Sequence, residues 1–142
     1  MKSLLSAAVM FIAVLSAKGQ EKETVYRSEL PSMVRSFLTH FKSPLHHAIK
    51  VYDATTTSYG IVLNDNTEIK FSDKGIWTLI DGKGKPVQCK FLGKTFAEYF
   101  KNNFSNTLVT RIERSESRCK LALSNGSALS FALDSKGSPI LN

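Results

Sequence analysis

Between Tyr59 and Trp77 apolar and polar residues alternate with a period of two. Tyr59, Ile61 and Leu63 share one side, and Ile69 and Phe71 continue it after the polar turn Asn64-Asp65-Asn66. Period-two alternation around residues that tolerate left-handed turn geometry predicts a hairpin of half-buried strands. Asp73-Lys74-Gly75 then turns the chain into a further strand, Ile76 to Ile80. The pattern returns in Cys119–Gly137: Cys119, Leu121 and Leu123 alternate, Asn125-Gly126 is a strong hairpin signal, and Leu129, Phe131 and Leu133 alternate again.

Two stretches carry a helical period instead. Leu30, Val34, Phe37 and Phe41 form one apolar stripe behind Pro31, which suits a first helical turn. This helix is expected to end between Lys42 and Pro44. Lys94–Phe104 is the second helix, with Phe96, Phe100 and Phe104 four apart. Ile49–Asp53 and Val109–Arg114 read as strands, Pro139–Asn142 as a last short strand, and residues 20–29 as a polar, flexible lead-in.

The two halves match residue by residue. Met33, Phe37 and Phe41 correspond to Phe96, Phe100 and Phe104 at an offset of 63. Tyr59, Ile61, Leu63 and Phe71 correspond to Cys119, Leu121, Leu123 and Phe131 at 60, and Gly75 to Gly137 at 62. Offsets that change only in connections are what a duplicated fold permits. A unit of this size barely buries a core alone. The expected fold is therefore α+β: a tandem repeat of one helix plus antiparallel strands, joined in one continuous sheet with both helices on one face. The expected divisions are residues 1–19, 20–29, a first repeat over 30–81, a linker over 82–91 around Asp81-Gly82-Lys83-Gly84-Lys85, and a second repeat over 92–142.

Composition alters this picture mainly at the start of the chain. Lys2, the uncharged run Leu4–Leu15 and the small residues Ala17 and Gly19 make a cleavable signal peptide. No cysteine near the cleavage point suggests a lipid anchor, and the apolar run is too short to span a bilayer. A periplasmic or secreted product is expected, with no membrane span, acting as a monomer. Without Lys2 and Lys18 the formal charge falls from +7 to +5. That favours an acidic partner, but the basic residues are scattered singly, which argues against a nucleic-acid track. In an exported chain Cys89 and Cys119 either pair, closing a loop of about 30 residues, or serve as small buried apolar groups. Their spacing leaves both readings open.

The residues Leu30-Pro31, Phe37, Phe41, Tyr59-x-Ile61-x-Leu63, Glu68-Ile69-x-Phe71 and Gly75-x-Trp77 resemble those of PepSY-like, beta-lactamase-inhibitor-like proteins exported by Bacteroides-type bacteria. The second copy carries Leu123-Ser124-Asn125-Gly126, Phe131 and Gly137. The resemblance spans residues 27–142, and its motifs are structural. It implies helices over one face of the sheet and an open opposite face that grips a protein, as in inhibitors of lactamases. The second copy departs from the first at Lys94-Thr95, Cys119 and Pro139, where the first has Pro31-Ser32, Tyr59 and Trp77.

Strand parity puts Val62, Glu68, Lys70, Lys120, Ala122, Ser130 and Ala132 on the face opposite Ile61 and Ile69. Aromatic anchors among polar groups suit a protein interface. The candidate partner-binding residues are therefore Tyr52, Lys70, Trp77, Arg111 and Lys120, with core closure by Trp77 as the competing reading. Adjacent His46 and His47 are expected to point apart, and no third ligand has metal spacing. No nucleophile elbow or oxyanion loop is present. The expectation is an exported, non-enzymatic binding module without cofactor or metal, acting on an exported or periplasmic protein. The alternative is a binder of an anionic envelope component, either polysaccharide or lipid headgroup.

Overall fold

The computed structural model describes residues 20–141; the signal-peptide expectation for residues 1–19 lies outside them. Eight strands form one antiparallel sheet in chain order: β1 (Glu21–Val25), β2 (Leu45–Tyr52), β3 (Thr57–Leu63), β4 (Glu68–Phe71), β5 (Trp77–Asp81), β6 (Val109–Arg114), β7 (Arg118–Leu123) and β8 (Ala128–Ala132). Helix α1 (Ser32–Leu38) precedes β2, and α2 (Lys94–Asn103) lies between β5 and β6.

Register explains why the alternating residues form strands here. One apolar row crosses the whole sheet: Val25, Ala48, Ile61, Ile69, Ile80, Ile112, Leu121 and Leu129 stand opposite one another in successive pairs. Ile61, Ile69, Ile80 and Ile112 are fully buried, and burial of such a side chain contributes about 1.5–3 kcal/mol. Val34 and Leu38 of α1 and Phe96 and Phe100 of α2 join the same core cluster. Phe37 meets Phe71 at 5.6 Å between ring centroids, and Phe96 meets Phe131 at 5.3 Å.

The turns follow one hydrogen-bond plan in both halves. Leu63 and Leu123 donate their N–H groups to Thr67 and Ser127 carbonyls, each at 2.9 Å. Side-chain oxygens of Asp65 and Asn125 accept from the amides two residues on. Ser72 and Asp134 amides bond Ile76 and Ser138 carbonyls, and Gly75 and Gly137 each close the turn with positive φ. The Lys136 and Ser138 amides hold the Asp134 carboxyl below the usual carboxylate range, Ser138 most strongly.

Several elements differ from the sequence-based expectation. Residues 21–25, expected within a polar lead-in, form edge strand β1, because backbone pairing with β2 needs no apolar side chains and Val25 anchors it in the core. The first helix ends at Leu38 rather than between Lys42 and Pro44. Its exit is tightened by Thr39, His40 and Phe41 amides bonding the carbonyls three residues earlier. Strand β2 begins at Leu45, four residues before the alternation announces it. Of the final strand expected over Pro139–Asn142, whose last residue lies outside the described residues, a single bridge forms, Leu133 to Pro139. Met33 is 57% exposed whereas its counterpart Phe96 is 2% exposed, so the helical correspondence fails at that position.

Candidate binding face

The sheet face opposite the apolar row has its own register. One row runs Thr24, Ile49, Gly60, Lys70, Leu79, Glu113, Lys120 and Ser130 across all eight strands. The neighbouring row runs His47, Val62, Glu68, Asp81, Arg111 and Ala122. Of the five candidate residues, Lys70, Arg111 and Lys120 therefore share this face, within two adjacent rows.

Lys70 and Arg111 do not stand as free cations. Lys70 lies 3.6 Å from Glu68, whose other carboxylate oxygen is 3.2 Å from Lys83. Lys83 also approaches Asp81 at 3.5 Å. Asp81 is 3.9 Å from Arg111, which reaches Glu113 at 3.6 Å. The result is a ladder of three bases and three acids in alternating order. Hydrogen bonding to Glu68 raises the Lys83 ammonium pKa, with help from Asp81. Lys83 adopts φ 53°, and its amide donates to Asp81 at 2.9 Å. Half-exposed pairs add little to stability. A ladder of this kind instead offers a patterned surface that rewards a complementary partner and repels a mismatched one. Leu79 is buried beneath it although it points away from the main core.

Trp77 and Tyr52 are not brought to this face. Trp77 is 6% exposed and stacks on Phe37 at 6.2 Å. The Arg114 guanidinium lies 3.9 Å from its ring centroid, and Arg114 Nε donates to the Trp77 carbonyl at 2.9 Å. Trp77 pairs with Phe71 after a bulge in β4–β5, which turns its ring to the core. Tyr52 follows Ala48 and Lys50 in parity and so lies on the same side as the apolar row, at the β1 edge. Its hydroxyl donates to Glu23 at 2.8 Å, and Lys50 sits 5.0 Å from its ring. Neither residue therefore belongs to this face: Trp77 takes the core-closing place that was the competing expectation, and Tyr52 belongs to an edge cluster on the other side.

Sequence reading missed Lys83 and Asp81 as members of the ladder, because a Gly/Lys-rich stretch reads as a linker. The signal available was the Asp-Gly-Lys-Gly spacing, which fits an Asx turn. His46 and His47 also depart from expectation. A register shift after Leu45 brings their rings to 5.0 Å and their Nδ1 atoms to 2.7 Å. Among the described residues no three His, Cys, Asp or Glu side chains converge.

Cys89 and Cys119 are both free thiols. Val87 is bonded to Val109 at one end of β6, while Cys119 pairs with Arg114 at the other. Five residues of strand separate those ends by roughly 16 Å. The two residues from Val87 to Cys89 recover at most about 7 Å of that, so the bridge is out of geometric reach. Burial pushes the Cys89 thiol up to about 11, and raises Cys119 as well. Native protein at pH 8 is therefore expected to react with a thiol reagent at least tenfold more slowly than a free cysteine. Two thiols should appear promptly in denaturant, and a count of zero there would establish a disulfide.

The described residues define an α+β fold with a single antiparallel eight-stranded sheet and two α-helices. The sequence pattern of the family described as "Putative beta-lactamase-inhibitor-like, PepSY-like" matches residues 57–140, and the chain belongs to that family. The match begins at β3, so β1, α1 and β2 lie ahead of it. Three solved structures from Bacteroides are similar. A "putative calcium-regulated periplasmic protein" of Bacteroides thetaiotaomicron superposes with TM-score 0.73 at 23% identity, over 84% of this chain and 94% of that one. A "putative periplasmic protein" of the DUF2874 family from Bacteroides vulgatus gives TM-score 0.71 at 21% identity, with the same coverage. Another "putative periplasmic protein of unknown function" from that organism gives 0.69 at 28% identity over 87% of this chain and 98% of that one. No curated protein matches the sequence. No helix among the described residues is long and apolar enough to cross a membrane.

Proposed function

We propose that the protein is an exported, non-enzymatic binding module that inhibits or sequesters a periplasmic protein through the sheet face bearing Lys70, Arg111 and Lys120. The observation that carries this reading is the alternating ladder Lys70–Glu68–Lys83–Asp81–Arg111–Glu113, laid out on the face away from the main core. Such an arrangement discriminates between partners by charge order rather than by total charge. The periplasmic descriptions of the similar structures support export, as does the signal-peptide pattern of residues 1–19. The matched turn hydrogen bonds of the two halves support a chain built as two copies, over residues 30–81 and 92–142, with the helices on one side of the sheet and the binding face on the other.

The test is recovery of partners from periplasmic extract by the tagged mature chain and by a Lys70→Glu/Arg111→Glu variant. Both substitutions are exposed, so the melting temperature should hold within a few degrees. The expected result is a partner retained by the wild type and lost by the variant. Equal recovery by both removes this face from consideration. The second reading, attraction of an anionic envelope component, draws on the net positive charge. It predicts binding that weakens steeply with salt.

A further inference from the structure

The binding face contains a depression that the ladder does not explain. Across β1 to β4 it opens a groove of about 500 Å³, within the range of small-ligand sites. Its floor is Ile49, Val51 and Val62, with Gly60 at the centre. Strand interiors disfavour glycine, and a glycine there marks a close approach or a bulge. Gly60 has neither cause: no heavy atom lies within 4 Å of where its Cβ would be, and its φ is not left-handed. The missing side chain therefore leaves room on the solvent side, over apolar neighbours.

The rim is charged unevenly. Lys22 stands at one edge and, among the described residues, has no ion-pair partner. Lys70 stands at the other edge as the terminal cation of the ladder. The rim's acid, Glu68, is bound on both oxygens by Lys70 and Lys83. A ligand in the groove thus meets aliphatic surface below and cationic surplus beside it.

We propose that this groove binds a monomeric single-chain amphiphile, with an aliphatic tail laid across Gly60 and a carboxylate head held by Lys22 or Lys70. The apolar floor selects the tail, and charge complementarity selects the head. This goes beyond the protein-binding role proposed above: the two share Lys70 and Glu68, but Lys22 and Gly60 belong to the groove and not to the ladder, and Arg111 and Lys120 do not line the groove.

Decanoate, kept below its micelle threshold, is the probe. Titration of the mature chain by NMR and calorimetry is expected to shift the Ile49, Gly60 and Val62 amides at a single saturable site. Each fully buried methylene strengthens binding about fourfold, so octanoate, two methylenes shorter, should bind roughly fifteenfold more weakly. Decyltrimethylammonium, with the opposite head charge, should bind at least tenfold more weakly than decanoate. Gly60→Leu fills the groove and should abolish binding, while Lys22→Glu/Lys70→Glu reduces it with the floor intact. Thermal melts confirm that each variant is folded. The proposal is overturned if decanoate causes no shifts, if the cationic probe binds equally, if folded Gly60→Leu stays within twofold of wild type, or if only phosphatidylglycerol vesicles bind.

Discussion

Trp77→Ala is expected to destabilise the fold by about 3–5 kcal/mol, the usual cost of truncating a buried aromatic, and to lower the melting temperature by roughly 10–20 °C. Three contacts are lost together. The ring fills core volume at 6% exposure, it stacks on Phe37, and it forms the surface on which Arg114 lies at 3.9 Å. The last matters because burial already disfavours the charged Arg114. Removing the ring leaves that guanidinium with a poorer environment, though its bond to the Trp77 carbonyl survives. Trp77→Phe keeps an aromatic face and should cost less than half as much. Circular dichroism melts measure both. Trp77 is the only tryptophan in the chain, so wild-type fluorescence gives an independent check: emission should be blue-shifted and should move to the red on unfolding. A surface-like emission from folded protein would contradict the core placement. A stable Trp77→Ala variant that had lost only its partner would restore the anchor role.

The second large effect is expected at Gly82. A Cβ there would overlap the Lys85 carbonyl oxygen and lie 3.2 Å from that of Thr110. Both obstacles are backbone: the Lys85 carbonyl belongs to the turn that leads from β5 toward α2, and the Thr110 carbonyl to β6. The Gly82 amide bonds Thr110 at 2.9 Å, and its carbonyl accepts from Lys85 at 3.1 Å. Alanine therefore displaces a hydrogen-bonded turn rather than a side chain, at a cost of about 3 kcal/mol. Gly82 does not have positive φ, so the effect is purely steric. Gly60→Ala is the control: with nothing within 4 Å of the new atom, and alanine the better strand residue, stability should stay level or rise slightly. Urea denaturation of the two variants side by side measures the contrast. Equal stabilities would refute the steric account of Gly82.

Much of the fold was legible from particular residues. Tyr59, Ile61, Leu63, Ile69 and Phe71 announce β3 and β4 because a one-residue slip would turn all of them to water. Asn125-Gly126 announces the β7–β8 hairpin because few other residues accept that turn. The strand β1 was not legible. Glu21, Lys22 and Glu23 are polar, and what makes them a strand is the free edge of β2, a partner beyond local sequence. Charges on an edge also discourage pairing with other chains, so the feature that hid the strand has a physical use. The start of β2 at Leu45 was concealed by the His46–His47 register shift, which breaks the alternation.

The binding face divides in the same way. Parity placed Lys70 and Lys120 correctly, since the side to which a strand residue points is a local property. Parity alone failed at Trp77, which alternates in step with Leu79 and yet joins the core. The error there was to treat an aromatic at a strand start as free when its face depended on a bulge in β4–β5. Tyr52 was grouped with cations close to it in sequence, but Ala48 and Lys50 had already assigned it to the other side.

Sequence alone therefore determined the strand and helix types, most hairpin turns and the facing of each alternating residue, because those follow from backbone periodicity and turn sterics. Tertiary structure decided the order of the charges in the ladder, the burial of Trp77, the separation of Cys89 from Cys119 and the opening above Gly60. Each of these depends on which residue of a distant strand stands opposite. That register is set by the summed burial of one apolar row across eight strands, and no local stretch contains it.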